Sequence, residues 1–379
     1  MGNAHGSEEV RTRHRIALGD ARHLDNVAPG SVDLVVTSPP YPMIEMWDRC
    51  FAKLDPAIAE ALGRSDGQGA FEKMHSILDQ AWTECVDALR EGGFLCVSIG
   101  DATRTLGRDF RLYTNHARVA QACTTLKLSA LPIVLWEKQT NSPNKFMGSG
   151  MLPAGAYVTL EHEYILIFRK GGRREFSNRG QAERRRRSAF FWEERNQWFS
   201  DVWDFKGERQ QIAGAEVDRR SAAFPLELPY RLIAMLSVEG DTVLDPFIGT
   251  GTTALAAIAL GRNSLGYDSD EQTVTHAWRR LLSSWREVAA RNLVRLDRHD
   301  QFVATCSANG KDLRHTNATY GFPVMTQHEV DLRISTPIEV LEVGRGEFEA
   351  THRPLVRSPR FARELGLPPI AQPTLSAWQ

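Results

Sequence analysis

Two short segments carry residue types that can do chemistry, and they lie some 200 residues apart in the 379-residue chain. The first is Thr37-Ser38-Pro39-Pro40-Tyr41. Ser38 Oγ and the carbonyl of Pro39 are hydrogen-bond acceptors, and the stiff Pro-Pro unit fixes where the carbonyl points. Two such acceptors suit the two N–H groups of a planar amine. Holding both pulls the nitrogen towards tetrahedral geometry and frees a lone pair otherwise delocalised into a ring, while Tyr41 offers a face for that ring. The second segment is Asp245-Pro246-Phe247-Ile248-Gly249-Thr250-Gly251-Thr252-Thr253. Its glycines let backbone approach a ligand closely, and the helix start behind them presents free N–H groups.

The details narrow the ligand. No G-K-[ST] follows, so the phosphate-loop form fails; Ala254 occupies the last position of the dinucleotide fingerprint G-x-G-x-x-G, so that fails too. Asp268 ends the next strand, in Leu265-Gly266-Tyr267-Asp268, where an acid binds ribose hydroxyls. Asp245 is available for a cationic group. Together they suit a nucleoside with a positively charged amino-acid tail, which describes S-adenosylmethionine. Asp270 is the better candidate for capping the helix that follows.

Strands must carry these loops. Residues 32–37 are a compact β-branched run, read as a buried parallel strand with the S-P-P-Y loop at its tip. Further strands are expected at 15–20, 94–99, 131–136, 164–168, 242–245 and 263–268. Helical spacing marks 70–90, closed by Gly92-Gly93, and 114–126, 228–236, 252–260 and 271–290. This alternation predicts an α/β fold, a doubly wound and mostly parallel sheet. Residues beyond about 295 read as a small β-rich accessory tract.

Composition sets the bounds. About 42% of residues are hydrophobic and 25% charged, ordinary for a globular protein, and the net charge of −1 gives no global sign of a nucleic-acid partner. Residues 169–220 are locally basic, with 14 Lys+Arg against 9 Asp+Glu. Inside this tract lies Arg184-Arg185-Arg186-Arg187, readable as a phosphate-contacting patch or as a solvated helix face. The nearby Trp192, Trp198 and Trp203 read better as core than as base-stacking residues. Five cysteines without a C-x-x-C pair, no signal-like N-terminus and no run long enough to span a bilayer predict a soluble, cytoplasmic protein with no membrane partner.

In combination the motifs resemble the β-class DNA amino-methyltransferases, the S-P-P-Y type specific for N4 of cytosine, in which the catalytic motif precedes the cofactor motif. Residues 37–41 resemble the catalytic motif and 245–253 the cofactor motif. Phe224-Pro225-Leu226-Glu227-Leu228-Pro229 resembles the helix start that covers the cofactor, and Gly19-Asp20 an upstream pair near its adenine. Trp136-Glu137-Lys138, His162-Glu163-Tyr164 and Val202-Trp203 resemble three further segments. The resemblance covers roughly 13–285. It implies a Rossmann-like, S-adenosyl-L-methionine-dependent fold, with Ser38, Pro39, Pro40 and Tyr41 catalytic. Asp20, Thr37, Phe224, Pro225, Asp245, Pro246, Phe247, Gly249, Gly251, Thr252 and Asp268 would bind the cofactor, and Arg184, Arg185, Arg186 and Arg187 the DNA. Arg220 stands where the family usually has His.

The implied layout is a catalytic half at 13–170, a target-recognition region at 171–222, a cofactor half at 223–290 and an accessory tract at 295–379. The implied substrate is double-stranded DNA, its target base turned out of the duplex. A cognate restriction endonuclease would act separately, and monomer and dimer both stay open. A C5-cytosine mechanism is disfavoured because no proline precedes a cysteine, and no spaced ligand set for a metal exists. N6 of adenine and a DNA-binding module with a decayed site are the competing readings.

Overall fold

The computed structural model describes residues 9–138, 147–206 and 224–356. Residues 207–222 of the expected recognition region, including Arg220, and 357–379 of the expected accessory tract lie outside the described residues. The strands are β1 (Val10–Leu18), β2 (Val32–Thr37), β3 (Leu89–Ile99), β4 (Ala102–Leu106), β5 (Asp109–Tyr113), β6 (Ser129–Ala130), β7 (Val134–Glu137), β8 (Met147–Gly148) and β9 (Ala156–Tyr157). They continue as β10 (His162–Arg169), β11 (Val202–Asp204), β12 (Thr242–Asp245), β13 (Asn263–Asp268), β14 (His315–Thr316), β15 (Pro323–Val324), β16 (Ser335–Gly344) and β17 (Glu347–Pro354). The helices are α1 (Asp48–Leu54), α2 (Pro56–Gly63), α3 (Gly67–Ala88), α4 (Asn115–Thr125), α5 (Arg179–Arg187), α6 (Trp192–Trp198), α7 (Glu227–Leu236), α8 (Thr252–Ala259) and α9 (Glu271–Ala308).

An 11-stranded sheet runs in the order β11-β7-β10-β3-β2-β12-β13-β1-β17-β16, with β6 paired to β10. Its middle, β3-β2-β12-β13-β1, is wholly parallel. The central parallel strands β2 and β12 are buried on both faces, which is why they read as compact apolar runs, whereas β1 alternates buried and exposed residues. One core packs α3 and α4 onto one face of the sheet, and a second packs α7, α8 and α9 onto the other. α3 buries Ala70, Phe71, Met74, Ile77, Leu78, Ala81, Trp82 and Cys85 along one stripe, and Asp66 caps it by accepting from Gly69 N at 2.8 Å.

Three features differ from the sequence expectation. Gly92 and Gly93 lie inside β3 rather than closing a helix, with Gly92 at φ +77° beside a register shift in the pairing with β2. β10 enters antiparallel between β3 and β7. The last helix runs on to Ala308, so the boundary drawn near 295 falls within α9, and the β16–β17 hairpin extends the main sheet alongside β1. Trp198 and Trp203 are core residues, whereas Trp192 is 39% exposed.

Where β17 meets β1, a buried polar chain crosses the sheet. Thr12 Oγ1 lies 2.8 Å from both His14 Nε2 and His352 Nε2, and His14 Nδ1 lies 2.8 Å from Ser264 Oγ. The threonine hydroxyl has one proton, so it donates to one ring and accepts from the other, which fits two neutral imidazoles. Burial pushes His14 down to about 3 and His352 to about 4. Both folded values lie below the ordinary 6.5, so the unfolded chain binds protons that the folded chain refuses. Their stabilising contribution is complete above pH 6.5 and is lost as pH falls towards 4 and 3. The melting temperature should therefore drop more steeply over that window in the wild type than in a His14→Gln/His352→Gln variant. Equal pH slopes would refute the assignment.

Candidate active site

The chain order reverses between β2 and β12: β3 lies beyond β2 on one side and β13 beyond β12 on the other. A crevice opens at the carboxyl ends of strands at such a reversal. Thr37, Asp245, Asp268 and Gly19 sit at or just past the tips of β2, β12, β13 and β1, in that spatial order. At about 4.8 Å between strands, the four tips span roughly 15 Å. The fold thus brings together the two segments that the sequence holds apart.

Asp245 joins them. Its carboxylate is 1% exposed. Oδ1 accepts from Thr37 Oγ1 at 2.6 Å and from Phe247 N at 3.1 Å, and Oδ2 accepts from Thr253 Oγ1 at 2.6 Å. Burial raises its pKa to about 6, against the downward pull of these three hydrogen bonds.

The glycines in and beside the second loop have different tasks. A side chain at Gly251 (φ +85°) would press on Leu281 Cδ1 at 3.0 Å, and one at Gly266 on Ile248 Cγ1 at 2.6 Å. Both permit close packing. Gly249 (φ +51°) faces open space, its nearest neighbour being the Phe247 carbonyl at 3.9 Å, so this is where a ligand can approach backbone. Thr252 is only 4% exposed, and its hydroxyl accepts from Arg280 Nη1 at 2.8 Å, as does that of Thr250 at 2.9 Å. The Thr252 side chain, expected on the cofactor, is thus engaged from behind the loop.

Beyond the loop, half-buried Asp268 accepts from Asp270 N at 2.9 Å, and its carbonyl accepts from Gly19 N at 2.9 Å. Asp270 caps α9, accepting from Gln272 N. The Asp20 carboxylate pairs with Arg22 at 2.7 Å, and the hydrogen bonds from that guanidinium hold its pKa below the usual carboxylate range. Phe224 and Pro225 are buried just ahead of α7, Pro246 is buried, and Phe247 meets Trp82 edge-on with ring centroids 6.3 Å apart. Open backbone at Gly249, a helix start and two acids at adjacent strand tips fit a cationic nucleoside such as S-adenosyl-L-methionine.

The S-P-P-Y loop is held from below by a residue the sequence did not single out. Asn115, fully buried at the start of α4, donates from Nδ2 to the Pro42 carbonyl at 3.1 Å and to the Gly100 carbonyl at 2.9 Å. Its Oδ1 lies 3.0 Å from His75 Nε2, a histidine that burial holds at about 3 and therefore neutral. Within the loop, Ser38 Oγ donates to the Tyr41 hydroxyl at 3.1 Å, and that hydroxyl donates to Glu163 Oε2 at 2.9 Å. Lys138 Nζ pairs with Glu163 Oε1 and lies 4.7 Å over the Trp136 ring. Glu163 and Lys138 had entered only through their motifs. Thr253 had entered only as the last residue of the cofactor motif, and Asn115 left no signal beyond a common residue type.

The four arginines 184–187 are not part of this site. α5 packs against the amino ends of β2 and β12, the opposite end of the sheet. Ser188, just after α5, accepts from Glu239 N at 2.9 Å; Arg174, ahead of it, pairs with Asp241 and Asp33. Arg186 pairs with Asp331, and Arg185 and Arg174 flank the Phe176 ring at 4.7 Å each. The sequence groups these arginines by charge alone, and the end of the sheet they occupy is set by tertiary packing.

The fold and site define an S-adenosylmethionine-dependent methyltransferase of the amino type, and comparison with known proteins agrees. A family model described as DNA methylase matches residues 32–279. The chain is 44% identical over 345 residues to the type II methyltransferase M.MthZI of Methanothermobacter thermautotrophicus, an alignment covering 90% of this chain and 95% of that protein. It is 46% identical over 276 residues to M.MjaI of Methanocaldococcus jannaschii, covering 70% and 90%. A putative DNA modification methylase of Thermus thermophilus, solved with S-adenosyl-L-methionine, superposes with a TM-score of 0.55 at 32% identity, covering 71% of this chain and 93% of that one. The chain belongs to the DNA methylase family, and its cofactor is S-adenosyl-L-methionine.

Two substitutions probe the join at Asp245. Thr37→Val and Thr253→Val each remove a donor to a buried carboxylate, which costs about 1–3 kcal/mol and should lower the melting temperature and weaken cofactor binding. Because both act on one carboxylate, the double variant should lose less than the sum of the singles; strict additivity by calorimetry would contradict this. Protonated Asp245 must turn one acceptor oxygen into a donor and gives up its negative charge. Cofactor affinity should therefore fall as pH drops through about 6, and Asp245→Asn should flatten that dependence.

Proposed function

We propose that this protein transfers a methyl group from S-adenosyl-L-methionine to N4 of a cytosine turned out of double-stranded DNA. It would act at a specific site, as the modification half of a type II restriction–modification pair. The observation that carries this reading is Ser38: a neutral acceptor at the tip of β2, one strand from Asp245. In the family that the motifs resemble, Ser at this position goes mostly with cytosine N4 and Asp with adenine N6. The curated relatives, both type II methyltransferases, favour the restriction–modification setting.

When bound, the cofactor supplies an electrophilic methyl carbon on a sulfonium. In this reading Asp268 takes the ribose hydroxyls, Gly249 and the start of α8 receive the amino-acid end near the negative charge of Asp245, and Asp20 and Phe224-Pro225 border the adenine. Ser38 Oγ and the Pro39 carbonyl accept the two N–H groups of the base, and the Tyr41 ring holds its face. Turning the base out costs about a few kcal/mol, which contacts at the catalytic end must offset. The β8–β9 hairpin stands at that end with Met151, Leu152 and Val158 exposed and Tyr157 stacked on Phe110 at 4.6 Å, apolar groups of the kind that fill a vacated base stack.

Plasmid DNA treated with the enzyme and digested to nucleosides should contain N4-methylcytosine by mass spectrometry. N6-methyladenine in its place would overturn the base assignment. Ser38→Ala should lower turnover on the order of ten- to a thousandfold, as for loss of one preorganised partner; near-full turnover would remove Ser38 from its role.

A further inference from the structure

We propose that Glu163 receives the proton shed by the methylated amine, through Tyr41 and Ser38. The inference rests on the reading that Ser38 faces the reacting amine. The chain of contacts has one direction. The Glu163 carboxylate has no proton to give, so the Tyr41 hydroxyl donates to Oε2 at 2.9 Å. The Tyr41 oxygen is then left to accept, and Ser38 Oγ donates to it at 3.1 Å. With its only proton committed, Ser38 presents lone pairs alone to the amine. Glu163 thus sets the polarity of Ser38 across two hydrogen bonds.

The same path disposes of the proton. In methyl transfer the nitrogen lone pair forms the N–C bond, the C–S pair stays on sulfur, and the nitrogen becomes cationic. It then gives one N–H proton to Ser38 Oγ, the Ser38 proton moves to the Tyr41 oxygen, and the Tyr41 proton moves to Glu163 Oε2. The products are a neutral methylated amine, a neutral thioether and a neutral carboxylic acid. Glu163 is the end of the path to solvent: its side chain is 12% exposed, and that of its partner Lys138 is 29% exposed. The groups around Glu163 are Lys138, just past β7, and Tyr41 from the catalytic loop. On its own strand Tyr164 stacks on His116, which pairs with Asp101. Lys138 pairs with the other oxygen of the same carboxylate, leaving Oε2 to Tyr41. Glu163 acts through Tyr41 and Ser38, so it is a positioning and proton-accepting residue and touches no substrate atom.

Glu163→Gln separates the two parts of this role. The amide oxygen can still accept from Tyr41, but it cannot take up a proton. The single-turnover methylation rate should fall about a hundredfold, the lower range for a positioned proton acceptor, with the cofactor and DNA dissociation constants little changed and Glu163→Asp recovering part of the rate. Tyr41→Phe keeps the ring, cuts the path and should cost a similar factor, and the double variant should lose no more than the worse single. A readout independent of turnover is the Tyr41 phenol in the free protein, followed by NMR with ring-labelled tyrosine. Burial and the Glu163 charge raise its pKa, and Glu163→Gln should lower it. A Glu163→Gln rate within threefold of wild type, or an unmoved Tyr41 titration, would overturn the proposal. Failure of the base assignment is read separately from the nucleoside product, since an adenine amine would shed its proton by the same path.

Discussion

A buried carboxylate held by hydroxyls and backbone keeps the two halves of this protein in register. β2 and β12 are joined along their length by only a short ladder, Leu34 opposite Val243 and Val35 opposite Leu244. That ladder stops short of the tips, where the reacting groups must be placed. There Asp245 takes over, binding the last residue of β2 through Thr37 and the first turn of α8 through Thr253. Burying a carboxylate is costly unless its lone pairs are occupied. Three donors occupy three of them, and burial still pushes the carboxyl pKa up to about 6. A sulfonium with an ammonium tail is the kind of ligand that would compensate its negative charge. The constraint that aligns the catalytic and cofactor loops is thus also one that favours a cationic cofactor over a neutral nucleoside.

The supports beneath the two loops differ in kind. The cofactor loop is wedged by packing: Gly251 against Leu281, Gly266 against Ile248, and Arg280 tying Thr250 and Thr252. The catalytic loop is hung on polar atoms, with Asn115 below and Glu163 at its outer edge. The difference follows from Pro-Pro, which has no N–H to offer a ladder, so side chains from α4 and β10 must hold what backbone cannot.

The sequence made the loops legible and left their supports hidden. Proline, glycine and acid at strand tips have local meanings, and the tips fell where those residues placed them. The helices at 70–90, 114–126, 228–236 and 252–260 were readable from their apolar spacing. What stayed hidden was tertiary. Asn115 matters through partners distant in the chain, and nothing in its neighbours marks it. β10 has the apolar run of a parallel strand, and only its neighbours make it antiparallel. The polar spacing of α9 continues past 290 without a glycine or proline to stop it, and the helix continues too. The arginine run showed charge but no address: it folds onto the amino ends of the strands, away from the crevice.

The constraints on the two loops meet at position 38. It is one residue from Thr37, which binds Asp245, and one hydrogen bond from Tyr41, which binds Glu163. An aspartate there would add a third carboxylate beside two that are already buried or nearly so, and like charges in a weakly screened site repel strongly. A serine, the residue proposed to face the amine, avoids that repulsion. In the proposed proton path the acid is set back two hydrogen bonds, at Glu163, which pairs with Lys138. A neutral acceptor in the catalytic loop and an acid on β10 are therefore two halves of one solution to where negative charge is allowed to stand.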